Sequence, residues 1–73
     1  MPKLPRISGR ECSKALGALG FIEVRQRGSH VVMRREDAGC VVPMHKELKT
    51  GTLAGVLRQA GVSVEEFLAA LNG

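Results

Sequence analysis

Apolar positions recur along the chain with two different periods. Ser8-Gly9-Arg10-Glu11 has the S-x-x-E form of a capping box, in which a hydroxyl and a carboxylate each take a free backbone N–H at a helix start. Behind it Cys12, Ala15, Leu16 and Leu19 repeat at helical spacing, Arg10, Lys14 and Gly17 fall on the opposite side, and Gly20 supplies a stop. The spacing predicts a first helix over residues 9–19 with one buried stripe. From Phe21 the period changes to two, with Ile22 and Val24 set against Glu23 and Arg25 as in a half-buried strand. Gly28 marks a turn, Val31-Val32-Met33 continues as a second strand, Glu36-Asp37-Ala38-Gly39 reads as a tight connection, and Cys40-Val41-Val42-Pro43 as a third strand. Three strands joined this closely form an antiparallel meander. Pro43 has no N–H to give a ladder, so the third strand ends there or lies at an edge.

A second helix is signalled by Thr50 or Thr52 as cap, by Leu53, Val56, Leu57 and Ala60, and by Gly61 as stop. Ser63-Val64-Glu65-Glu66 is another capping box, and Val64, Phe67, Leu68 and Leu71 make the stripe of a third helix. The order is α-β-β-β-α-α, an α+β chain. Three helical stripes need a common apolar partner, and a three-stranded antiparallel sheet covered on one face is the simple solution, leaving the other face open for binding.

Length narrows this further, because 73 residues build one hydrophobic core, so a single domain over residues 1–73 is expected. No apolar run approaches the roughly 20 residues of a membrane span, and Met1-Pro2-Lys3-Leu4-Pro5-Arg6 has nothing like the apolar stretch of a signal peptide. The expectation is a soluble, cytoplasmic protein. Cys12 and Cys40 are too few for a disulfide framework and read as small buried apolar side chains in a reducing compartment. Eleven Lys and Arg against seven Asp and Glu give a formal charge of +4 and a pI near 9.7. That balance favours a polyanionic partner such as nucleic acid, although many small basic domains bind nothing anionic.

Histidine is the side chain best suited to proton transfer near neutral pH, and the chain has two, His30 and His45, both at strand boundaries. Alternation puts His30 on one face with Val32 and Arg34, and Val31 with Met33 on the other, without saying which is buried. Arg25, Arg27, Arg34 and Arg35 flank His30 on the same hairpin, so a phosphodiester held by guanidinium groups would lie beside an imidazole. A packed or solvated structural histidine among ordinary surface charges is the competing reading. Lys46 and Lys49 precede the second helix, where free N–H groups favour phosphate, or they serve only to keep that connection soluble. Phe21 and Phe67, the only aromatics besides histidine, occupy core positions, so base stacking on a sheet surface is disfavoured and recognition through backbone and shape fits better. Cys12, His30, Cys40 and His45 lack zinc-ligand spacing, no phosphate-binding glycine loop is present, and Ser29 and His30 point to opposite faces, so no metal or cofactor is expected.

Leu19-Gly20-Phe21, Arg25-Gln26-Arg27-Gly28-Ser29-His30, Val42-Pro43-Met44-His45, Lys46-Glu47-Leu48-Lys49-Thr50-Gly51-Thr52-Leu53 and Gln59-Ala60-Gly61, preceded by Met1-Pro2-Lys3-Leu4-Pro5-Arg6-Ile7-Ser8-Gly9, together resemble a HicA (YcfA-like) toxin over nearly the whole chain. The resemblance implies a fold like the double-stranded RNA-binding domain with an added C-terminal helix. It also implies the toxin of a type II toxin-antitoxin system, an endoribonuclease acting on mRNA and neutralised by a HicB-like antitoxin. In that family the catalytic histidine lies in the G-S-H segment, here Gly28-Ser29-His30. Arg25, Arg27, Gly28, Ser29, Arg34, His45, Lys46 and Lys49 are the candidate RNA contacts of this chain. The connection after strand three, Met44-His45-Lys46-Glu47, is shorter than in many members and leaves the role of His45 open. The chemistry expected of His30 needs no metal: it takes the ribose 2′-hydroxyl proton, and a 2′,3′-cyclic phosphate forms. His45, an arginine-bound water or His30 itself would then protonate the leaving oxygen. A non-catalytic RNA-binding module using the same basic surface is the alternative.

Overall fold

A computed structural model describes residues 3–73; Met1-Pro2, where the N-terminal motif begins, lie outside the described residues. The elements are α1 (Gly9–Ala18), β1 (Ile22–Arg27), β2 (His30–Arg35), β3 (Ala38–Pro43), α2 (Thr50–Ala60) and α3 (Val64–Asn72). This is the α-β-β-β-α-α order read from the sequence, an α+β fold of the double-stranded RNA-binding type extended by α3. The sheet runs β1-β2-β3, antiparallel throughout.

Local chemistry explains the helix ends. Ser8 and Ser63 each close a capping box, with Glu11 and Glu66 as the returning carboxylates. Gly61 ends α2 in the left-handed conformation at φ 71°, which a residue without Cβ adopts freely. The start of α2 differs from expectation, because its N-cap is Lys49, whose side chain makes no cap bond, and neither Thr50 nor Thr52 serves. Burial of Leu53, Val56, Leu57 and Ala60 holds this helix, which is how packing outweighs a missing cap of about 1 kcal/mol.

The helices lie on one face of the sheet, α2 against β3, and α1 against α3 and β3. Beneath them Val31, Met33, Cys40 and Val42 meet Leu16, Leu53, Leu57 and Phe67, all nearly sealed from solvent. The sheet edges are treated differently. Val41 at the β3 edge gives its N–H to the Gln59 side chain at 3.2 Å, and the strand stops at Pro43.

β1 departs from the simple alternation. All six of its residues are exposed, Ile22 at 65% and Val24 at 49%, so it is not the half-buried strand its pattern suggested. Two causes are visible. It is an edge strand that the helices leave largely uncovered, and its register slips between Glu23 and Arg25, where Val24 forms a β-bulge. Ile22, Arg25 and Arg27 pair with Arg34, Val32 and His30, and so point to the open face. Glu23 and Gln26 pair with the core-facing Met33 and Val31, and so point to the helix side.

Candidate nucleic-acid interface and histidine pair

The register that buries Val31 at 2% and Met33 at 4% sends His30, Val32 and Arg34 to the uncovered face. His30 is exposed there as the first residue of β2. Its direct neighbours are Arg27 across the first ladder and Pro43 across the second. Directly opposed side chains in an antiparallel pair have Cβ atoms about 5 Å apart, so the Arg27 guanidinium and the His30 ring can hold one phosphate group together. Arg25 lies further along β1 on the same side. Arg34 is four strand positions from His30, about 13 Å at strand rise, within reach of a neighbouring phosphate rather than the same one.

The turn that presents His30 is built from backbone. Gly28 takes φ 54°, and the Gln26 side-chain amide donates to its carbonyl at 3.2 Å. The Ser29 carbonyl accepts from the Met44 N–H. Ser29 therefore serves as an anchor through its main chain, while its neighbour carries the exposed ring.

That anchor leads the chain past the end of β3 to His45. The His45 carbonyl accepts from the N–H of Gly9, the first residue of α1, at 2.9 Å, and Leu48 N–H donates to Ile7 at 2.7 Å. A Cβ on Gly9 would stand 2.0 Å from the Pro43 carbonyl oxygen, so only glycine permits α1 to start this close to β3. The result is an imidazole pair, His30 and His45, with ring centroids 6.4 Å apart and planes at 71°. The sequence left the role of His45 open; the structure puts it beside His30.

On the helix side of the same corner lies a groove of about 500 Å³. Arg10 and Ser13 of α1 line it from one direction and Glu23 and Gln26 of β1 from another, with Val31 and Met44 as its apolar part. His45 and Lys46 also line it, so His45 belongs to both the ring pair and the groove. Lys49 stands apart at the start of α2.

Not every arginine of the hairpin reaches this surface. Arg35 faces the helix side, donates to the Leu19 carbonyl at 2.8 Å and lies over the Phe21 ring at 4.7 Å, so it closes the α1 to β1 corner and is unavailable to a ligand beside His30. The groove residues Ser13, Glu23 and Met44 were not singled out from the sequence. A bulge has no letter of its own, and without it Glu23 and Gln26 fall on opposite faces. The cysteines are free and buried as expected, and burial, with Cys40 adding to it, pushes the Cys12 thiol up to about 12.

A small basic α+β domain of double-stranded RNA-binding type, with an exposed imidazole and arginines on its open sheet face and a second exposed imidazole at the corner beside it, defines the class of protein. Residues 9–62 match the family model described as the HicA toxin of bacterial toxin-antitoxin systems, and the chain belongs to that family. The match begins with α1, ends just past α2, and leaves α3 outside it. Comparison with curated proteins returns no match. No helix among the described residues is long and apolar enough to cross a membrane.

Proposed function

We propose that this toxin is a metal-independent endoribonuclease that cleaves mRNA, with His30 as general base. The observation that carries the reading is the exposed His30 ring, flanked by Arg27 and 6.4 Å from His45. With hydrogen bonds of about 2.8 Å from each ring, one phosphodiester reaches both. Neutral His30 takes the 2′-hydroxyl proton, the 2′-oxygen bonds to phosphorus, and the bond from phosphorus to the 5′-oxygen breaks. Protonated His45 gives its proton to that leaving oxygen, so charge and protons balance, and the products are a 2′,3′-cyclic phosphate and a 5′-hydroxyl. Arg27 and Arg25 neutralise the charge gathering on the phosphate. The two imidazoles supply both proton transfers, and the scheme needs no metal.

Its partner in this reading is a HicB-like antitoxin. Ile22, Val24 and Val41 are exposed, and Val32 is half-buried, on the sheet face that carries His30, giving a protein partner apolar area that an RNA backbone does not use. The test is incubation of wild type and His30→Ala with single-stranded RNA in chelator, with the new 3′ ends analysed. Cyclic phosphate from wild type alone is expected. Cleavage that persists without the imidazole removes His30 from the mechanism, and salt-sensitive binding with no product from either protein selects the non-catalytic module.

A further inference from the structure

The groove beside the histidine pair owes its chemistry to the bulge at Val24. In a regular strand Glu23, Arg25 and Arg27 share one face, and the carboxylate stands about 7 Å from its neighbouring arginine, where it would neutralise part of the phosphate-binding surface. The bulge breaks that arrangement. The arginines stay on the open face with His30, and Glu23 moves to the helix side together with Gln26. Glu23 and Gln26 pair with Met33 and Val31, two positions apart on β2, so they are spaced by about 7 Å along one wall of the groove.

Among the described residues the Glu23 carboxylate makes no ion pair. Gln26 gives its amide N–H to the Gly28 carbonyl, which leaves its oxygen as an acceptor. That wall therefore offers acceptors, whereas Arg10 and Lys46 bring cationic groups, and His45 an imidazole, to the same groove. A volume of about 500 Å³ falls within the roughly 300–1,000 Å³ of small-ligand sites. Half-buried Met44 provides an apolar surface for a flat ring, with buried Val31 beneath the groove floor.

We propose that this groove is a base pocket that takes one unpaired RNA nucleotide adjacent to the linkage held between His30 and His45. Its acceptors select a base with two neighbouring donors on its pairing edge, which is guanine through N1–H and N2–H, received by Glu23. A base within a duplex has that edge occupied, so the substrate is RNA unpaired at this nucleotide, on a fold whose element order resembles that of duplex binders. The inference rests on the nuclease reading for the linkage and on the groove alone for the base.

Two measurements separate them. Cleavage of a randomised single-stranded RNA pool, read by sequencing of the new ends, should show guanine enriched at one position next to the cut. Glu23→Gln and Gln26→Ala, both at exposed positions, should flatten that enrichment and lower kcat/KM on the guanine substrate by about 5- to 150-fold, the range of one good bidentate base contact. Binding of fluorescent pentanucleotides with guanine or adenine at the centre, followed by anisotropy with wild type and the two variants, repeats the comparison without chemistry. Guanine preference lost in Glu23→Gln supports the pocket even if no RNA is cut, in which case the nuclease reading alone falls. An unchanged cleavage profile in both variants, or equal binding of the two pentanucleotides by wild type, overturns the pocket and leaves the histidine mechanism standing.

Discussion

Gly9→Ala tests the corner on which the histidine pair depends. Alanine is the better helix former by up to about 1 kcal/mol, and by local propensity alone the change stabilises α1. The structure gives the opposite sign. The new Cβ would meet the Pro43 carbonyl oxygen at 2.0 Å and the Met44 Cα at 2.7 Å, whereas ordinary contact begins near 3.4 Å, a shortfall of about 1.4 Å against backbone atoms that have no rotamer to change. Moving α1 away strains the Gly9 to His45 hydrogen bond and opens packing around Ile7 and Val42. Overpacking of this kind costs about 1–3 kcal/mol, and losing the hydrogen bond about 1 kcal/mol more. After the propensity gain, a net loss of about 2 kcal/mol remains, which for a domain of this size lowers Tm by about 8–16 °C. Thermal unfolding followed by circular dichroism measures it, and RNA cleavage well below both midpoints should also fall, because the His45 carbonyl loses its anchor. A Tm equal to or above wild type would show that α1 and the end of β3 are not held this close.

Three further outcomes follow from the same geometry. With His30 as base and His45 as acid, His45→Gln should lower the rate of cleavage by about 10²–10⁴-fold while RNA binding is kept, and a variant that cleaves at the wild-type rate would deny His45 its role. Arg27→Ala should reduce the salt dependence of RNA binding by about 0.7 in log–log slope, whereas Arg35→Ala should lower Tm and leave that slope unchanged; the reverse pattern would refute the division of labour between the two arginines. Cys12 is buried and its thiol stands at about 12 against an ordinary 9.0, so the protonated form favours folding. Its contribution is complete below pH 9.0 and fades as pH climbs toward about 12, which denaturant titrations at pH 8 and 10 would register as a drop in midpoint. Midpoints that do not move would argue against the burial.

What the sequence disclosed follows from which forces are local. The two capping boxes and the left-handed Gly61 are local hydrogen-bond and backbone choices, and each stands where the letters place it. The open face required tertiary information, because alternation in β2 is the same whichever side is buried, and only packing of α2 and α1 on β3 decides it. Arg35 looked equivalent to Arg34 along the chain, yet one step of the pleat sends it to Phe21 and Leu19. β1 misled for two reasons that no window of residues contains: its position at the sheet edge, and a bulge that shifts the phase of every side chain after Val24. His45 was visible as a residue but not as a neighbour, since its place beside His30 comes from bonds between segments 36 and 41 positions apart, Gly9 to His45 and Ile7 to Leu48.

The treatment of the sheet's two rims bears on how such a toxin behaves when it accumulates. An unpaired strand with free amides and carbonyls is a template on which a second molecule can add itself, and from there a filament. At the β3 rim Gln59 occupies one of those amides and Pro43 removes another. At the β1 rim the kink at Val24 breaks the straight spacing a newcomer needs, and Arg25 and Arg27 repel their own copies. The same irregularity that sorts the charges thus makes this rim a poor template, and straightening β1 by deleting Val24 would make it a better one.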